Sequence, residues 1–243
     1  MKKIINWGII GAGNAAINLA KNFKDSHNSK LIGLASKNED KRLYFEKEYQ
    51  IEKKNIYQNY EDILENKDID IIYIALPHNL HKEWCIKSSI KKKNILVEKP
   101  AALSALDVKQ IIDQVKKDKV FFTEGLAYKF HPFFLEILSV IKKINPKDIV
   151  SIKSSFGNDV IGGKKIFGFR FKKPKKTKRL FNPDLGGGAI WDTGCYPVSA
   201  VTYITSAIYG NQNINPKILE ISKEIGSTGV DEYSYIKLQF NEI

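Results

Sequence analysis

The chain has 243 residues, 43% of them hydrophobic and 27% charged, which is enough for one large or two modest folded domains and excludes a disordered chain. No apolar run approaches the ~20 residues of a membrane span, and two distant cysteines, Cys85 and Cys195, exclude a disulfide framework and fit reduced thiols in a cytoplasm. The formal net charge of +12 is spread along the chain without a recognition motif, so neither nucleic acid nor membrane is expected as a partner, and the positive field suits small anionic ligands.

The first element is an apolar run, Ile4-Ile5-Asn6-Trp7-Gly8-Ile9-Ile10, which feeds into Gly11-x-Gly13-x-x-Ala16 and an Ala-rich helical pattern. Strand, glycine turn and helix in this order form a dinucleotide-binding fingerprint. Gly11 permits the tight turn, Gly13 keeps side chains away from a pyrophosphate, and Ala16 lets the helix sit close to the strand. The N–H groups that follow, from Asn14 and Ala15 onward, then face the phosphates.

A second strand over residues 30–36 ends in Ser36-Lys37-Asn38, where an NAD-preferring site usually carries Asp or Glu for the ribose 2′-hydroxyl. A hydroxyl and an ammonium suit a 2′-phosphate instead, so NADP is expected, with NAD possible; the other reading is an ordinary polar loop. Helices are expected over residues 41–50 and 60–64, and a buried strand over 69–76 that ends at Pro77-His78-Asn79-Leu80-His81. A helix over 80–91 and a strand over 94–100 follow, the latter closing on Glu98-Lys99-Pro100. Ser104 caps a helix running to Val115, and residues 120–124 make the next strand. This alternation predicts a doubly wound parallel sheet, a Rossmann domain, over residues 1–122.

From residue 123 the rhythm changes. A helix over 131–144 opens with Pro132, residues 149–156 alternate like a strand, and the basic run 172–179 reads as a solvated loop. Gly186-Gly187-Gly188 precedes a helix with Trp191, Asp192, Tyr196 and Val201, and residues 218–225 and 233–240 read as strands. Residues 123–243 are therefore expected to form an α+β domain with a mixed, largely antiparallel sheet, for substrate binding and oligomerisation. Ile236, Leu238 and Phe240 share its inner face.

The motifs Gly11-x-Gly13-x-x-Ala16, Ala35-Ser36-Lys37, Pro77-His78-Asn79 with His81, and Glu98-Lys99-Pro100 occur in one order. They continue with the stretch from Glu124 through Tyr128 and Lys129 to Pro132, and with Gly186-Gly187-Gly188-Ala189-Ile190-Trp191-Asp192-Thr193-Gly194-Cys195-Tyr196-Pro197. In these the chain resembles the glucose–fructose oxidoreductase / inositol dehydrogenase / MocA family over essentially its whole length. It is most similar to the branch of NADP-linked aldose (xylose-type) and dihydrodiol dehydrogenases. The resemblance implies hydride transfer between NADP(H) and a sugar, polyol or vicinal diol. A non-catalytic dinucleotide-binding regulator of the same fold is the alternative. Family members usually continue well beyond this length and pair their sheets between subunits. The second domain is thus expected to be incomplete, and the full-length protein a homo-oligomer.

The chemistry then falls to a few side chains. Lys99 stands at a strand's C-terminal end, where doubly wound sheets bind ligands; the plainer reading is a surface lysine before proline. Tyr196 is either a packed helix aromatic or the proton-transfer group. An ammonium ~4 Å away at an effective dielectric of ~20 would favour its phenolate by about 4 kcal/mol. Asp192, four residues earlier, shares its helical face and, by the resemblance, binds substrate hydroxyls, with Lys129 and His131 as further pocket candidates. Glu98 is expected at the nicotinamide ribose, and Leu76, Pro77, His78, Asn79 and His81 at the adjoining strand end in backbone and ribose contacts. No His, Cys, Asp or Glu spacing suggests a metal.

Overall fold

The computed structural model describes residues 4–160, 165–166, 169–170, 174–210 and 216–240. The chain up to Gly125 forms one compact unit and that from Leu126 a second.

In the first unit strands and helices alternate: β1 (Ile5–Ile10), α1 (Asn14–Ala20), β2 (Ser29–Ala35), α2 (Glu39–Glu48), β3 (Ile56–Tyr57) and α3 (Tyr60–Glu65). They continue with β4 (Ile71–Ile74), α4 (His81–Ile90), β5 (Asn94–Val97), α5 (Ala105–Asp118) and β6 (Phe122–Glu124). All six strands are parallel, in the order β3-β2-β1-β4-β5-β6. The chain leaves β1 toward β2 and later returns to its other side with β4, so a crevice opens beyond the carboxyl ends of β1 and β4.

Successive strand residues feed opposite faces, as the strand period requires. Ile9 and Tyr73 join Ala16, Ala20 and Phe45 on one side, while Ile10, Ile72, Ile74, Ile95 and Val97 join Trp84, Ile111 and Val115 on the other. Covering on both faces explains why these strands read as nearly continuous apolar runs. Local chemistry sets the helix starts. Asn38 Oδ1 accepts the Lys41 N–H at 2.8 Å, so α2 begins before residue 41, and Ser104 Oγ accepts the Asp107 N–H at 3.1 Å at the head of α5.

The second unit carries α6 (Pro132–Ile141), a short antiparallel pair β7 (Lys165–Ile166) and β8 (Phe169–Arg170), and a π-helical turn over Ile190–Gly194. That turn continues into α7 (Cys195–Tyr209), and β9 (Lys217–Ile225) pairs antiparallel with β10 (Asp231–Gln239). The alternation along β10 holds: Ile236 and Leu238 are half-buried and Phe240 buried, whereas Tyr233 and Tyr235 are exposed.

The strand expected over residues 149–156 does not form. Residues 149–160 carry no regular structure, the Ile149 N–H closes a turn on Pro146 O at 3.3 Å, and no described strand pairs with the segment. Its alternation is real, but a strand exists only through a neighbour's ladder. Of the basic run, residues 172–173 lie outside the described residues. Residues 175–178 are exposed and form neither helix nor strand, as expected of a solvated loop, whereas the last member, Arg179, opens a 3₁₀ turn and is bound to Asp192. Segment 150–160, α7 and β10 surround a cavity of about 1100 Å³ with largely apolar walls.

Candidate active site

Gly11 takes φ +96°, and a Cβ there would run into the Ala75 carbonyl oxygen at the end of β4. The turn therefore needs glycine on both conformational and steric grounds. Its N–H donates to Ala35 O at 2.9 Å, which draws the ends of β1 and β2 together. A Cβ on Gly13 would meet nothing, so the space over the start of α1 is open. That helix has no side-chain cap and no acid in its first turn, and Gly13 and Asn14 are exposed there with Ala15 half-buried beside them. Fully buried Ala16 packs the helix onto the sheet. Open space, free helical N–H groups and the absence of a carboxylate fit a pyrophosphate.

At the end of β2, Ser36 is 5% exposed, and its Oγ accepts the Asn38 N–H at 3.3 Å. Lys37 is exposed, its Nζ 5.5 Å from the centre of the Tyr60 ring. Sequence reading missed Arg42, whose Nη1 donates to Ser36 O at 2.7 Å and brings a second cation to this loop. The signal was available: Asn38 caps the helix, and Arg42 stands one turn beyond the cap.

At the end of β4, Leu76 and His78 are buried, Pro77 is half-buried, and Asn79 is exposed in a 3₁₀ turn leading to α4. His81 is fully buried, with Nδ1 2.7 Å from Pro100 O and Nε2 2.9 Å from Leu76 O. It has no surface to offer a cofactor, so the expectation of a direct cofactor contact gives way to a tie between two loops. The reason is tertiary: α4 starts under the loop after β5, and the ring is the group that reaches both carbonyls.

Beyond β5, Glu98 is half-buried. Its Oε1 accepts a short hydrogen bond from Tyr73 and its Oε2 the Lys99 N–H at 3.3 Å. Lys99 is half-buried and its peptide bond to Pro100 is cis.

In the second unit, Asp192 lies in the π-helical turn and Tyr196 at the start of α7. Such widened turns recur at functional sites. Arg179 Nη2 donates to Asp192 Oδ1 at 2.7 Å. Tyr196 packs against Phe156 (ring centres 5.0 Å apart) and Tyr128 (6.2 Å). Asp231, also missed in the sequence, fastens the head of this helix: its Oδ2 accepts the Ile190 N–H at 2.8 Å and the Ser234 hydroxyl at 2.7 Å. Gly188, at φ +115°, is required because a Cβ would collide with that carboxylate. Lys129 Nζ sits 4.2 Å over the Tyr203 ring, and the His131 imidazole caps α6 by accepting the Phe133 N–H at 3.2 Å.

A parallel sheet in this order, with a glycine turn at its switch point and an open helix start above it, defines a doubly wound dinucleotide-binding protein. The family described as "Oxidoreductase family, NAD-binding Rossmann fold" (GFO_IDH_MocA) matches residues 5–126, and the chain belongs to it. A trans-1,2-dihydrobenzene-1,2-diol dehydrogenase of Xenopus tropicalis is 28% identical over 97% of this chain and 65% of its own length. A D-xylose 1-dehydrogenase (NADP(+)) of Hypocrea jecorina is 23% identical over 97% of this chain and 62% of its own. The crystal structure of an aldose-aldose oxidoreductase from Caulobacter crescentus superposes with TM-score 0.78 at 20% identity, over 98% of this chain and 68% of that one. The chain thus spans about two thirds of the length of these relatives. Among the described residues no helix is long and apolar enough to cross a membrane.

Proposed function

We propose that the chain serves an NADP-linked dehydrogenase reaction at a CH–OH group of a sugar, polyol or vicinal diol. The observation that carries this reading is the start of α7, where Asp192, engaged by Arg179, precedes Tyr196 by one turn on a glycine-braced helix head. The names of the relatives, dihydrobenzenediol and xylose dehydrogenases, support the substrate class.

The pyrophosphate would rest on Gly11, Gly13, Asn14 and Ala15, and a 2′-phosphate on Ser36 and Lys37 with Arg42 beside them. The nicotinamide ribose would lie along Leu76, Pro77, His78 and Asn79 toward Glu98. When bound, the nicotinamide accepts or supplies the hydride. Tyr196 takes the hydroxyl proton during oxidation and returns it during reduction. Lys99 would promote that proton transfer by its positive charge, and Asp192 would orient substrate hydroxyls, with Lys129 a further candidate for substrate contact. A cytoplasmic location and a homo-oligomer assembled through the exposed face of β9 and β10 belong to the same reading.

Turnover with NADP⁺ against D-xylose, other aldoses, polyols and trans-1,2-dihydrobenzene-1,2-diol tests it. Lys99→Ala and Tyr196→Phe should each lower the rate by about 10²–10⁴-fold, the usual contribution of positioned acid–base groups. NADPH binding should survive Tyr196→Phe. Cofactor binding without turnover on any of these compounds would favour a non-catalytic sensing protein instead.

A further inference from the structure

The loop from Glu98 to Ala102 is held by side chains from three elements outside it. Tyr73, 3% exposed in β4, donates its hydroxyl proton to Glu98 Oε1, and the other oxygen of that carboxylate accepts the Lys99 N–H. His81, in the first turn of α4, sets one ring nitrogen 2.7 Å from Pro100 O and the other 2.9 Å from Leu76 O. Glu124, in β6, accepts the Ala101 N–H on Oε1 at 2.8 Å. The peptide group before the Lys99 Cα is thereby engaged by Glu98, and the Pro100–Ala101 peptide group by His81 on its carbonyl side and Glu124 on its N–H side.

We propose that Tyr73, His81 and Glu124 are positioning residues for Lys99, fixing its backbone relative to the crevice beyond β4. The inference rests on the reading of Lys99 as the group that promotes proton transfer. Its physical ground is that a loop fastened at the Lys99 N–H and on both sides of the Pro100–Ala101 peptide group narrows the positions open to the Lys99 Cα. Because the His81 ring also lies 2.9 Å from Leu76 O, it is packed between the ends of β4 and β5.

Glu124→Gln keeps a carbonyl oxygen for the Ala101 N–H, whereas Glu124→Ala removes it; Tyr73→Phe removes one hydroxyl from an otherwise unchanged ring. Glu124→Ala and Tyr73→Phe should lower kcat by about 10–100-fold, the scale of a misplaced reacting group. KM should stay near the parent's, binding of 2′,5′-ADP should be unchanged, and Glu124→Gln should recover most of the loss.

A second readout is independent of turnover. In pulse acetylation followed by mass spectrometry, the rate at Lys99 should change severalfold in Glu124→Ala and Tyr73→Phe while that at Lys37 stays constant. Absence of turnover in the parent would defeat the proposed function and leave this labelling test standing. Unchanged Lys99 labelling in both folded variants would overturn the positioning role, as would equal loss in Glu124→Gln and Glu124→Ala.

Discussion

Lys37 and Arg42 bring two positive charges to the end of β2, where a carboxylate would serve a free ribose hydroxyl. Arg42 is anchored by its bond to Ser36 O, and Lys37 lies exposed beside the Tyr60 ring. A unit charge ~5 Å from a phosphate at an effective dielectric of ~20 contributes about 3 kcal/mol, and exposure to solvent and salt reduces this to ~1–2 kcal/mol. NADPH should therefore bind more tightly than NADH, and Lys37→Asp should narrow the ratio by about tenfold or more, one decade being about 1.4 kcal/mol. The preference should also shrink as salt rises. Fluorescence titration of both cofactors measures this, and equal affinities in the parent protein at low salt would refute it.

Helix α5 shows how an element is fixed from both ends. Ser104 caps its start, and its last residue, Asp118, places a negative charge at the negative end of the helix dipole, a cost its partners offset. Lys92 Nζ donates to it at 2.7 Å, Gln114 Nε2 at 2.6 Å and Ser89 Oγ at 2.8 Å, joining α5 to the end of α4 and the turn before β5. These donors, Lys92 foremost, hold the Asp118 carboxyl at about 2, against an ordinary 3.8. A carboxylate whose folded pKa is depressed stabilises fully above its unfolded value, and the contribution is lost as pH falls from there through the folded value. Asp118→Asn should thus lower stability at neutral pH and flatten the acid limb between pH ~4 and ~2. Urea melts across that range check it; parallel curves for parent and variant would show that the cluster contributes nothing.

At the scale of the molecule the two units differ in how well they are filled. The first has apolar cores on both faces of its sheet. In the second, Leu126, Phe181, Val230 and Phe240 are the buried hydrophobic residues among those described, and every residue of β9 is exposed, Ile218, Leu219, Ile221 and Ile225 included. A two-stranded sheet is marginal in water by itself, and the cavity of about 1100 Å³ beside α7 forgoes contacts that a filled interior would make. Local opening should therefore be easier in the second unit. Hydrogen exchange should find the slowest amides in β1, β4 and β5 and much faster exchange in α6, β9 and β10, and the protein should bind the dye ANS. Protection in β9 and β10 equal to that in β4 would contradict this.

The parallel sheet, its helices and the glycine turn were legible in the sequence because their causes are local: strand runs with apolar residues on both faces, Ser104 at a cap, Gly11 where only a left-handed backbone fits. The strand expected over residues 149–156 failed for the complementary reason, since alternation prepares a segment to pair but cannot supply the neighbour. The same division runs through the site. Lys37, Lys99, Asp192 and Tyr196 could be nominated from residue type and position along an element. That Arg42 reaches Ser36 O, that Arg179 binds Asp192, that Asp231 fastens a helix head 41 residues earlier in the chain, and that His81 is fully buried between two carbonyls were decided by folding alone. Each depends on which distant backbone group arrives within hydrogen-bond reach, and one-dimensional spacing does not encode that distance.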